Sequence, residues 1–176
     1  MRKTVLYISS SLDGYIADTD GKVSWIDQCD ISEEAAGSYD RFIKNIDTVI
    51  MGWTTYNQIV TELSPDCWIY KGLQSYIVTH RKNTSTDDIF FTDENPSDLI
   101  ARLKKRPGKD IWICGGASIA NQLMASGLID IIYLTVLPVT LGAGIRLFQE
   151  GLPFSTYTLS NINRYDDVAE LIYSRK

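Results

Sequence analysis

The chain has 176 residues, 44% of them hydrophobic and 22% charged, a length that suits one domain burying roughly two thirds of its unfolded surface and a composition that speaks against disorder or a fibrous rod. Its 17 Lys and Arg against 22 Asp and Glu leave a net charge of −5, which argues against a general nucleic-acid or membrane-surface binder, so an anionic ligand must be held by a local site. One histidine, His80, excludes multi-histidine metal sites, and three scattered cysteines, Cys29, Cys67 and Cys114, signal neither a zinc knuckle nor a disulfide framework and fit a cytoplasmic compartment.

Thr4 to Ser10 predicts the first strand. Its apolar run stops at Ser9, Ser10 and Ser11, short of a signal core, and no later run approaches the ~20 residues of a membrane span. Ser11-Leu12-Asp13-Gly14-Tyr15-Ile16-Ala17 then reads as strand, turn and re-entry, with Asp13-Gly14 as the turn pair. Trp25, after a polar loop, is either core cover or a flat surface for an aromatic ring. Ser32 caps a helix expected from Glu33 to Lys44, whose early acids suit the positive end of a helix dipole.

Thr48 to Met51 is a second strand, running through Gly52 and Trp53 into a short helix from Thr54 to Glu62. Thr54 and Thr55 either cap that helix or offer hydroxyls to a phosphate. Ser75 to Thr79 ends in Thr79-His80-Arg81-Lys82, where a strand terminus meets clustered positive charge. That cluster is either solvated loop charge or a contact for an anion. A strand over Ile89 to Phe91 is followed by a helix with Asn95 as cap and Pro96 in its first turn, an apolar face of Leu99, Ile100 and Leu103, and Lys104, Lys105 and Arg106 at its negative end.

Ile111 to Cys114 runs through Gly115 and Gly116 into a helix from Ala117 to Ser126, with Ile119, Leu123 and Met124 inward and Gly127 closing it. Paired glycines here make either a tight turn or a phosphate seat with Ala117, Ser118 and Ile119 at the helix start. Ile131 to Val136 is a further strand, followed by a glycine-containing loop through Gly142 and Gly144. Tyr157 to Asn163 and Val168 to Tyr173 leave no room for a crossover helix and should form an antiparallel hairpin. No repeat or linker divides residues 1–176. The expected fold class is α/β: one domain with a mostly parallel, mixed sheet, helices on both faces and a C-terminal antiparallel hairpin. Ligands of such sheets collect outside the carboxyl ends of the strands.

Ser11 to Ala17, Trp25-Ile26, Val49 to Tyr56, Cys114 to Ala117, and Pro138 through Gly142-Ala143-Gly144 to Leu147-Phe148 follow one another in an order and spacing that resemble the three-layer dihydrofolate-reductase-like fold. Within it they are most similar to stand-alone relatives of the reductase domain of riboflavin biosynthesis. The resemblance implies NADPH as cofactor, hydride transfer to a small heterocyclic substrate of the pterin or pyrimidine-ribosylamine kind, and a homodimer. Position by position it implies that Gly52, Trp53, Thr54 and Thr55 meet the adenosine-phosphate side and that Gly115, Gly116, Ala117, Ser118 and Ile119 seat the pyrophosphate. Thr79, His80, Arg81 and Lys82 correspond to the loop at the 2′-phosphate, while Asp13 and Trp25 lie toward the nicotinamide end. Asp13 or Asp40 is the expected proton relay. A nucleotide-binding sensor that has lost turnover is the alternative.

Overall fold

The computed structural model describes residues 1–29 and 32–176. In chain order its elements are β1 (Thr4–Ser11), β2 (Tyr15–Ala17), α1 (Glu33–Ile43), β3 (Ile46–Gly52), α2 (Trp53–Gln58), β4 (Gln74–Val78), β5 (Ile89–Thr92), α3 (Pro96–Lys104), β6 (Asp110–Gly115), α4 (Ala117–Ala125), β7 (Ile131–Leu137), β8 (Ile145–Arg146), β9 (Tyr157–Tyr165) and β10 (Val168–Arg175). Among the described residues eight strands form one sheet in the order β5-β4-β3-β6-β1-β7-β10-β9, and β2 pairs with β8 apart from it. The strands from β5 to β7 run parallel, whereas β10 is antiparallel to both β7 and β9. This is the α/β architecture with a C-terminal antiparallel hairpin expected from the alternation of strands and helices.

Local chemistry explains where the helices begin and end. Ser32 accepts a hydrogen bond from the Ala35 amide, and Asn95 accepts one from the Ser97 amide with Pro96 in the first turn of α3. At the end of α4 the Gly127 amide donates to Met124 O and the Leu128 amide to Leu123 O, closing the last carbonyls. The segment expected as one helix from Thr54 to Glu62 instead changes character. After Gln58 it continues as a π-helical turn, Ile59–Leu63, with the Ser64 amide bonded to Ile59 O. The β-branched run Ile59-Val60-Thr61 crowds a regular α-helix, and the wider turn leaves Ile59 in the core.

The two faces are covered differently. Leu99, Ile100 and Leu103 of α3 and Ile119, Ala120 and Leu123 of α4 pack on Leu6, Ile50, Ile111 and Ile113. On the opposite face Phe42 of α1 and Ile59 pack on Val5, Val49, Met51, Ile77 and Trp112. Tyr7 stacks on Phe42 at 4.4 Å, and Trp112 meets Phe42 edge-on at 5.6 Å, so that second face is largely aromatic.

Register decides where the sheet opens. β1 pairs with β6 over only three residue pairs, Thr4 to Leu6 against Ile111 to Ile113, but stays with β7 as far as Ser11. Beyond Leu6 the two central strands part at their carboxyl ends, the position at which open α/β sheets bind ligands.

Candidate functional site

A cleft of about 690 Å³ occupies that gap, within the usual size range of small-molecule sites. Tyr7, Ile8 and Ser9 of β1 form one wall, and Cys114 with the start of α4 forms the other. Gly52, Trp53, Thr54 and Thr55 bring the start of α2 to the same space, and Gly116, Ala117, Ser118 and Ile119 bring the start of α4. The two junctions touch. A Cβ built on Gly116 would lie 3.4 Å from Thr55 Oγ1, and one on Gly52 would lie 3.5 Å from Ile119 Cγ1. Glycine at both places leaves backbone amides open to a ligand where any side chain would fill the cleft wall. The Gly115–Gly116 peptide bond is cis.

Other segments complete the cleft. Ile16 and Ala17 come from β2, Gly21, Val23 and Ile26 from the segment that follows it, Ile145 from β8, and Gln149 from the loop beyond. Gln58 Nε2 donates to Gly21 O at 3.2 Å and ties this loop to α2. The buried Asn121 of α4 donates to Leu147 O at 2.7 Å and accepts from the Gln149 amide at 3.0 Å, so α4 fixes the opposite rim. Tyr70 and Cys114, both lining residues, share a 3.5 Å contact between hydroxyl and sulfur. Burial pushes the Cys114 thiol up to about 11 against the pull of the Tyr70 hydroxyl, and burial also raises Tyr70 far above the ordinary phenol range. Both are neutral at pH 7.

The remaining residues singled out from sequence lie elsewhere. Gly115, Thr79, His80, Arg81 and Lys82 do not line the cleft; the last three are exposed. Arg81 nevertheless reaches its rim, because its guanidinium sits 4.9 Å from the centre of the Trp53 ring. Trp25, expected toward the nicotinamide end, is 7% exposed and packs with Leu137, Tyr165 and Val168.

Asp13 and Asp40, the expected proton relays, do not line the cleft either. Asp13 accepts from Ser11 Oγ at 2.6 Å and from the amides of Leu141 and Gly142 at 3.1 and 2.7 Å. The Ser11 hydroxyl, helped by those amides, holds its carboxyl at about 2. At neutral pH it is ionised and clamps the loop at Leu141 and Gly142. Asp40 is an exposed residue of α1.

The family model of the RibD C-terminal domain matches residues 2–169. This chain belongs to the RibD C-terminal domain family. Within that family setting, the uncharacterized YwjB of Bacillus subtilis strain 168 is 37% identical over 177 residues, covering 99% of this chain and 98% of its own length. A crystal structure from Shewanella sp. PV-4, named for riboflavin biosynthesis, superposes with a TM-score of 0.85 at 27% identity and 99% coverage of both chains. Dihydrofolate reductase from Enterococcus faecalis, in complex with NADP(H), shares the fold at a TM-score of 0.71 and 14% identity, covering 99% of this chain and 96% of that one. The RibD C-terminal fold of this chain is thus the dihydrofolate-reductase-like fold, and a reductase stands among its structural neighbours. No helix among the described residues is long and apolar enough to cross a membrane.

Proposed function

We propose that this chain is an NADPH-dependent reductase that transfers hydride to a small heterocyclic substrate of the pterin or pyrimidine-ribosylamine kind, working as a homodimer. Family and fold support reductase-type function. The observation that carries it is the meeting of two strand-to-helix junctions, at Gly52 and Gly116, in one cleft of about 690 Å³ where β1 and β6 part. The residues present fit a dinucleotide. Both glycines form a cradle that a Cβ would fill, and Gly116 leaves the first amides of the nine-residue α4 without a side-chain cap.

In this reading Gly116, Ala117, Ser118 and Ile119 seat the pyrophosphate through backbone amides, and Thr54 and Thr55 offer hydroxyls on the adenosine side. Arg81, stacked on Trp53 at the rim, meets the 2′-phosphate as a fixed cation. The bound cofactor supplies the hydride. The protein orients the reactants and keeps water out, with Tyr7, Ile8, Ile16 and Ile145 giving the cleft a mainly apolar wall.

The test is NADPH consumption, followed by its absorbance, against a panel of dihydropterins, dihydrofolate and pyrimidine ribosylamines, with the reduced product identified by mass. Turnover with at least one of them is the expected result. Tight NADPH binding with no turnover on any would replace the reductase with a nucleotide-binding sensor.

A further inference from the structure

Glu170 stands alone as a carboxylate in an apolar stretch of β10, Val168-Ala169-Glu170-Leu171-Ile172, and it is 1% exposed. A buried carboxylate is costly unless it is paired or hydrogen-bonded. Among the described residues Glu170 has no ion pair. Its partners are neutral: Ser38 Oγ of α1, at 2.7 and 3.0 Å from its two oxygens, and Asn163 Nδ2 of β9 at 2.8 Å. An ionised carboxylate has about four acceptor positions, so these contacts leave acceptor capacity to spare. The spare capacity faces space. Glu170 lines a cavity of about 160 Å³ whose other polar walls are Tyr7, Ser9, Tyr39, Thr135 and Tyr165.

This cavity adjoins the cleft, because Tyr7 and Ser9 line both. A dry protein cavity of about 150 Å³ holds one benzene ring, so the side cavity is the size of a single substituted six-membered ring. Its lining is unlike that of the main cleft, which is mainly apolar and, among the described residues, has no carboxylate on its walls. Arg41 donates to the hydroxyl of Tyr165, one of the lining residues, at 3.0 Å and makes no ion pair with Glu170.

We propose that Glu170 is a specificity-determining residue, and that the side cavity takes a flat ring whose edge donates N–H hydrogen bonds, cationic or neutral, and rejects an anionic head. This deepens the proposed function and rests on it, since the cavity would then present the substrate's ring from the side to the reactants in the cleft. Anionic parts of a substrate, such as a phosphate, would have to stay outside, where the chain's exposed cations lie.

Three flat probes of nearly equal size test it on the full chain without cofactor: benzamidinium, benzamide and benzoate, titrated by calorimetry. The wild type should bind benzamidinium at least about tenfold more tightly than benzoate, as expected for a charge-assisted hydrogen bond. Glu170→Gln should remove most of that ratio while its far-ultraviolet circular dichroism stays that of the wild type. A merely structural glutamate would not set the ratio. A second variant, Ala35→Leu, fills the same cavity from α1 with Glu170 unchanged and should abolish benzamidinium binding, which tests whether the charge ratio arises in this cavity even if Glu170→Gln fails to fold. Failure of all three probes to bind the wild type, a charge ratio that survives Glu170→Gln, or undiminished benzamidinium binding by Ala35→Leu would each overturn the assignment. NADPH titrated into the wild type separates the two ideas: its failure to bind removes the proposed function and leaves the probe ranking as measured.

Discussion

The Arg81 guanidinium lies 4.9 Å from the centre of the Trp53 ring, and an arginine stacked in this way loses less freedom on gripping a phosphate than one free in solvent. Arg81→Ala is therefore expected to weaken NADPH by about tenfold, the scale of a charged hydrogen bond at a partly exposed site, and NADH much less. Equal losses for the two in a binding titration would remove Arg81 from the 2′-phosphate. Asp13 carries a different kind of test. Its carboxyl sits at about 2 against the usual 3.8, so it contributes stability above the unfolded value that is lost as pH falls through about 4 toward about 2. Denaturant unfolding of Asp13→Asn should show a deficit against wild type at pH 7 that closes by about pH 2; a deficit independent of pH would contradict the clamp. Both residues were visible in the sequence as candidates, but the stacking partner of one and the amide partners of the other come from folding together distant segments.

At the scale of elements, the small sheet of β2 and β8 holds the flank of the cleft, and Gly144 is what lets it close. Its φ of 146° is left-handed territory, and a Cβ there would strike Ala17 O, whereas one on Gly142, φ 73°, would meet nothing within 4 Å. Gly142→Ala should cost about 1 kcal/mol of backbone strain and Gly144→Ala at least about 2 kcal/mol, because strain and collision add. Because Ile145 lines the cleft, Gly144→Ala should also weaken NADPH. Chemical unfolding measures the first pair of values, and equal costs at the two glycines would show that the contact with Ala17 is not limiting. The strands of the main sheet and all four helices were legible from apolar periodicity and caps such as Ser32 and Asn95. β2 is the re-entry that follows the Asp13-Gly14 turn, whereas β8, with two residues, is too short to carry an alternating pattern, and the π-helical end at Ile59–Leu63 replaces an α-helical turn with the same apolar residues.

For the whole molecule, the parting of β1 from β6 after Leu6 turns two glycine junctions far apart in sequence into one cleft. The junctions at Gly52 and Gly116 were readable, since a strand running through glycine into a helix has a local signature. Gln58, Tyr70, Val78 and Gln149 were not, because each reaches the cleft only through the tertiary fold. Glu170 did leave a mark, a single acid among inward-facing apolar residues, but only β9, β10 and α1 together reveal what surrounds it. The net charge of −5 gives a polyanion no general welcome, so cofactor binding must rest on these local devices. Thermal unfolding with and without NADPH tests that most directly. At a concentration about 100 times its dissociation constant a ligand adds about 2.7 kcal/mol, or roughly 5–10 °C for a chain of this size. The wild type should show that rise and Gly116→Val, whose side chain would press on Thr55 and fill the cleft wall, should not, although it unfolds near the wild-type temperature without ligand. An unchanged unfolding temperature for the wild type in saturating NADPH and in saturating NADH would contradict the account.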